Sequence, residues 1–302
     1  MFNIDKRARL REFATYFDEI ARDIDFYTIG KVPTRVECRL VPITDRRHIR
    51  EAASCSGIVG FICPADLVDD VPPDVGCAIS SDPIAAAYYV HRELCGRSGY
   101  FWSDFDTVIA PDAFVHPRAY IDPRNVRIGP GSWVGPNAVV QERSIIGSGC
   151  RIGAGTVIGS EAYEIAPIGG RNRLQAHAGG VWIGNNVVFC SNSAVARSIY
   201  PVFTRIGDDC SFDNLVHVAH DCELEAGCKM TACSMLSGRV DLAAGAYLGP
   251  NSTVSNGLQI GEKSVVTIGA TVVRNVRNGA RVTGNFAIDH DKFIRNLKAT
   301  VR

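Results

Sequence analysis

The chain has 302 residues, 46% of them hydrophobic, with 32 basic and 32 acidic side chains and a formal net charge of zero. That length allows about two domains with a sizeable core, and the neutral balance carries no electrostatic footprint for nucleic acid. Eleven cysteines, an odd number at spacings that match neither a disulfide framework nor a zinc motif, read as reduced, small apolar filler in a cytoplasmic protein.

The opening residues Met1 to Arg7 contain no apolar stretch of the secretory kind. No apolar run approaches the ~20 residues of a membrane span. Leu10, Phe13, Phe17, Ile20 and Ile24 share one face at helical spacing, which predicts a helix over 7–25. Segments 26–30, 36–43 and 57–62 read as strands, the last buried between Cys-Ser and Cys-Pro. A loop follows over 69–74. Ser81-Asp82-Pro83 then caps a helix carrying Ile84, Ala87, Tyr88, His91 and Leu94. Residues 1–100 thus read as a small α/β domain, with Tyr100 to Phe105 as the hinge into the next.

From Ile206 to Val272 a bulky apolar residue returns every sixth position through twelve units. Neither a helix nor a strand has that period, so the segment predicts a solenoid of short repeats. The residue four places on (Cys210, Cys222, Cys228, Ser234, Ala246, Ser252, Ser264) is small and should fill a corner. An earlier tract, Ile128 to Ile158, keeps the same beat, while Ile109, Val115 and Ile121 stand one residue out of phase. Residues 101–288 therefore form one predicted parallel β-helix with two interruptions. The first, 160–182, holds Gly169-Gly170 and is too polar and glycine-rich to coil, so it should project. The second, 197–204, is shorter. Long loops on a rigid scaffold often carry function. Residues 289–302 place Phe293, Ile294 and Leu297 on one side of a short helix expected to cap the coil.

Chemistry concentrates at Val216-His217-Val218-Ala219-His220-Asp221-Cys222, where two imidazoles and a carboxylate interrupt the apolar coil. Histidine is the usual general base near neutral pH. The competing reading is a pair of solvated surface histidines, and Asp221 either orients an imidazole or solvates a corner. His217 should point elsewhere than His220.

The repeat [Ile/Leu/Val]-[Gly/Ala/Asp]-x-x-small-x resembles the hexapeptide-repeat acyltransferases. That resemblance implies a left-handed coil with three hexads per turn, so residues eighteen apart stack. Gly238 then lies one rung above His220, about 4.8 Å away by strand spacing. A glycine there admits a substrate to the backbone, and its N–H suits a developing oxyanion. Base and oxyanion donor on adjacent rungs suit acyl transfer without a covalent enzyme intermediate. The same solenoid occurs in γ-class carbonic anhydrases, which makes His177, His217 and His220 an alternative zinc set.

The order of an α/β front domain, coils, Ile183-Gly184, an insertion and Asp213-Asn214-Leu215-Val216-His217-Val218-Ala219-His220 resembles the UDP-3-O-(3-hydroxyacyl)glucosamine N-acyltransferases of lipid A synthesis. The likeness covers roughly 25–275. It implies His220 as catalytic base, Gly238 as oxyanion donor, and Asp213, Asn214, His217 and Asp221 on the substrate side. It further implies a homotrimer with no bound cofactor or metal, moving an acyl chain from acyl carrier protein to the 2-amine of a nucleotide-linked sugar. The chain departs from that family at Leu40 to His48, where the uracil-stacking aromatics are missing; Arg46, Arg47 and His48 could meet phosphate instead. The family's long C-terminal helices are reduced to about fourteen residues. The stretch Ile260 to Ala287 and His220-Asp221-Cys222 also resemble acetyl-CoA-dependent sugar acetyltransferases, which generally have proline in place of Phe286. An acetyl-CoA-dependent nucleotide-amino-sugar N-acetyltransferase is thus the second reading, and a non-catalytic scaffold the third.

Overall fold

The computed structural model describes residues 1–53, 55–284 and 287–300. Its larger part is a left-handed parallel β-helix whose prism is walled by parallel sheets of eight, eight and nine strands. All twelve beat residues from Ile206 to Val272 point into the prism and are at most 7% exposed. The corner positions Cys210, Cys222, Cys228, Ser234, Ala246, Ser252 and Ser264 are fully enclosed beside them. The cysteines serve there as filler with a weak donor, as when the Cys222 thiol donates to the Ser237 carbonyl at 3.3 Å. All eleven are unpaired.

The ladder registers explain the phases of the sequence. His217 pairs with Met235 and Met235 with Thr253, a step of eighteen. Ile109 pairs with Ile128 and Val115 with Val134, a step of nineteen, because one extra residue enters near Asn125. Asn125 turns that corner with φ +64°, a left-handed conformation that asparagine tolerates. The two insertions appear as longer steps, Ser144 to Val181 and Ala194 to His217. The first is a projecting antiparallel hairpin, Ile165–Ile168 with Arg171–Leu174, turned by Gly169 and Gly170 at positive φ.

Ahead of the coil lies a five-stranded sheet in the order Glu19–Arg22, Gly76–Ile79, Ile58–Cys63, Arg39–Pro42, Thr28–Ile29, antiparallel only at its first pair. The helix predicted over 7–25 does not form. A 3-10 helix, Leu10–Tyr16, gives way to the edge strand Glu19–Arg22. The spacing of Leu10 and Phe13 buries both in one short turn, and pairing with Gly76–Ile79 then overrides local helical preference. Helix Pro83–Gly96 forms as expected, with Asp82 accepting from the Ala85 amide at 3.0 Å. Ile84 faces outward rather than into its core. Helix Arg46–Ala53 was not foreseen. The last rung is Arg281–Val282, followed by helix His290–Thr300, whose Phe293 and Leu297 are about half exposed. Phe286 lies outside the described residues.

No helix among the described residues is long and apolar enough to cross a membrane.

One buried histidine ties the insertion to helix Pro83–Gly96, and a second braces the insertion internally. His91, on helix Pro83–Gly96, donates from Nε2 to the Ala176 carbonyl at 3.0 Å. His177 accepts at Nε2 from the Ala162 amide at 2.9 Å. Burial pushes each imidazole down to about 4. Both stay neutral in the folded chain at pH values where the unfolded chain binds a proton. Stability from this source is therefore intact above about pH 6.5 and falls as pH drops towards 4, by about 1.4 kcal/mol per unit of depression. Melting temperature should decline over that window, and H91Q, which keeps a donor for Ala176, should flatten the decline. An unchanged slope in H91Q contradicts this assignment.

Candidate active site

His217 and His220 leave the chain in different directions. His217 stands on a wall strand, half-buried. Burial and then the charge of His220 lower its basicity. His220 stands at the next corner, 7% exposed. Its Nδ1 is 2.6 Å from Asp221 Oδ2. Asp221 is the left-handed residue of that corner, φ +58°, and its amide donates to Thr204 Oγ1 at 2.9 Å. Thr204 thus holds the Asp221 backbone from the rung below, and the carboxylate against Nδ1 places the imidazole proton there, leaving Nε2 with its lone pair.

Gly238 sits directly over the ring. A Cβ built there would lie 2.5 Å from His220 Nε2 and 2.6 Å from Cε1. The backbone ladder joins the same rungs, Arg239 donating its amide to the His220 carbonyl at 2.9 Å. The Gly238 amide itself donates to no acceptor among the described residues. Leu215, Cys233 and Arg239 also hold left-handed φ near +60° at neighbouring corners. Such positions normally favour Gly, Asn or Asp and cost strain elsewhere. The same conformation recurs at corners along the coil, from Asn137 and Arg143 to Asn251 and Lys263.

Asp213 and Asn214 occupy the preceding corner. Asn214 Oδ1 accepts from the Ser191 amide at 2.9 Å, and its Nδ2 donates to Asp213 Oδ1 at 2.8 Å. Both thus hold the corner as well as facing outward. Arg46 binds Asp70 and Arg47 binds Asp45, at 2.7 and 3.0 Å. With exposed His48 they lie on helix Arg46–Ala53, and none of the three lines the cleft next to Asp221. His177 has its Nε2 committed to the Ala162 amide. Among the described residues no three His, Cys, Asp or Glu side chains are grouped to hold a metal ion.

A cleft of about 700 Å³ opens beside Asp221. Its polar wall carries Arg35, Arg205, Arg239, Glu223 and Asp241, and its rim carries Phe2, Ile4 and Phe203. Arg35 reaches across from the front part of the chain to pair with both Glu223 and Asp241. Arg205 stacks on Trp182, 4.3 Å from its ring centre. Arg239 Nη1 is buried without a partner among the described residues. None of these three arginines was singled out from sequence: Arg205 and Arg239 are single basic residues in a repeat that tolerates any residue there, and Arg35 lies in the front part of the chain, with no periodicity to relate it to the coil. Glu164, from the insertion, was also missed. Its Oε2 is 3.5 Å from His220 Nε2.

The family profile for bacterial transferase hexapeptide (six repeats) matches residues 125–160. A UDP-3-O-acylglucosamine N-acyltransferase of Albidiferax ferrireducens is 32% identical over 132 residues, 44% of this chain and 40% of that protein. One of Campylobacter lari is 33% identical over 132 residues, 43% and 41% of the two chains. The chain thus spans about two-fifths of the length of these relatives. Among solved structures, a UDP-N-acetylglucosamine acyltransferase from Campylobacter jejuni superposes with a TM-score of 0.52 at 20% identity, over 65% of this chain and 81% of that one. The repeat, the coil and the relatives agree: this is a hexapeptide-repeat chain related to the UDP-3-O-acylglucosamine N-acyltransferases.

Proposed function

We propose that the chain transfers an acyl group from a thioester to the amine of a nucleotide-linked amino sugar. The observation that carries this reading is the His220 ring, held at Nδ1 by Asp221 and lying against the bare backbone of Gly238. The amine attacks the thioester carbon. His220 Nε2 takes a proton from the nitrogen as the C–N bond forms. Negative charge collects on the carbonyl oxygen, where the unpaired Gly238 amide can receive it. The C–S bond then breaks, and the imidazolium returns its proton to the departing thiolate. Asp221 holds the ring and favours the imidazolium while it exists.

Asp213, Asn214 and His217 are the proposed substrate contacts on the wall and corner below. Phosphate contact falls more naturally to Arg205 and Arg239 in the cleft than to Arg46, Arg47 and His48. The proposed assembly is a homotrimer, by likeness to the UDP-3-O-acylglucosamine N-acyltransferase family and from the flat faces of the coil; Leu215 and Met235 are exposed apolar surface near His217 that another copy could cover. A reducing, cytoplasmic setting suits eleven unpaired cysteines.

The donor is the thioester of an acyl carrier protein or of coenzyme A. Incubation with acyl carrier protein and CoA thioesters against a panel of amino-sugar nucleotides should release thiol and form an amide, with the preferred carrier naming the donor class. Thiol release from none of these pairs would leave the scaffold reading.

A further inference from the structure

Asp221 occupies one nitrogen of His220, and one further charged group faces the other. Glu164 enters from the insertion just before the hairpin strand Ile165–Ile168. Its Oε2 lies 3.5 Å from His220 Nε2. Its Oε1 is held by the ammonium of Lys31, from the front part of the chain. The hairpin is itself docked on helix Pro83–Gly96 through His91 and Ala176. Glu164 is therefore anchored from outside the coil, with one oxygen spoken for and the other aimed at the base. Burial alone would raise its carboxyl; the Lys31 hydrogen bond and charge, then the charges of His220 and Arg239, bring it below the usual value.

A carboxylate oxygen and an imidazole lone pair are both acceptors. At 3.5 Å they share no proton of their own, and the gap is long for a direct hydrogen bond. A nitrogen bearing several protons can sit about 2.9 Å from each. A hydroxyl has one proton to give and no charge to offer a carboxylate.

We propose that Glu164 makes this an amine-selective acceptor site, its Oε2 receiving the acceptor's ammonium group beside His220 Nε2 while Lys31 anchors Oε1. The proposal rests on the acyl-transfer reading and names the feature that selects its nucleophile. The bound ammonium releases one proton to solvent to become the nucleophile. His220 takes a second as the C–N bond forms and passes it to the thiolate when the C–S bond breaks. Glu164 gains and loses nothing in the cycle; it binds, orients and discriminates.

The test compares wild type, E164Q and E164D on a UDP-linked 2-amino sugar and on its 2-hydroxyl counterpart, with one acyl thioester. E164Q should raise KM for the amine about 10-fold or more, the worth of one charge-assisted hydrogen bond. Turnover of the hydroxyl sugar should change far less than that of the amine, so the amine-to-hydroxyl ratio of kcat/KM falls. E164D should recover part of that ratio, which a merely structural lesion would not. If E164Q melts early, K31M, which frees the carboxylate from its anchor, reads the same ratio. A ratio equal to wild type in a folded E164Q overturns the proposal. Calorimetric binding of the two sugars, without thioester, separates the two levels. Tighter amine binding that depends on Glu164 in a protein that transfers no acyl group would sink the acyl-transfer reading and keep the amine site.

Discussion

Replacing His220 with alanine is expected to lower acyl-transfer turnover by about 10²- to 10⁴-fold, the usual worth of a positioned general base. The fold should survive. The interior of that rung is filled by Val218 and Cys222, and the imidazole lies at the corner outside it. The loss should fall on kcat, since the proton is taken in the transition state rather than in the bound ground state. Steady-state kinetics with the melting temperature measured alongside will check this. Near-normal turnover in a folded H220A would remove the site.

Placing a methyl group on Gly238 should be almost as damaging, for a different reason. The new Cβ would meet His220 Nε2 and Cε1 at 2.5 and 2.6 Å, too close for real atoms, so the ring must turn or slide. Gly238 is not among the glycines at positive φ, so alanine introduces no backbone strain there and the effect is local. A displacement near 1 Å between base and nucleophile can cost on the order of 10² in rate. The double variant H220A/G238A should be little worse than H220A alone, because both changes disable one unit. Additive losses would mean that Gly238 acts apart from the imidazole.

The coil was legible because its period is written in every rung. Each beat residue fills the same enclosed slot, so the repeat survives whatever stands outside the prism. The one-residue phase step before Ile128 was visible for the same reason. The stacking of His220 under Gly238 followed once the turn was taken as three hexads, since register in a solenoid is arithmetic. Glu164, Lys31 and Arg35 were not legible. They reach the site from the insertion and from the loop between strands Thr28–Ile29 and Arg39–Pro42, and no periodicity relates their positions to His220. The early helix failed where a strand edge supplied by residues 76–79, over fifty positions away, outbid local spacing. Arg46 to His48 drew notice by their charge in the stretch where the resembled family stacks on uracil, and their helix commits two of the three to nearby aspartates.

The account turns on one juxtaposition, an imidazole whose free nitrogen and a backbone amide whose free N–H address the same reacting carbon. A crystal structure with the N-acylated sugar nucleotide bound tests it most directly. The amide nitrogen of the product should lie within hydrogen-bond reach of His220 Nε2, with its carbonyl oxygen about 3 Å from the Gly238 nitrogen. A product seated on another wall of the coil, or with its carbonyl turned away from Gly238, would contradict it.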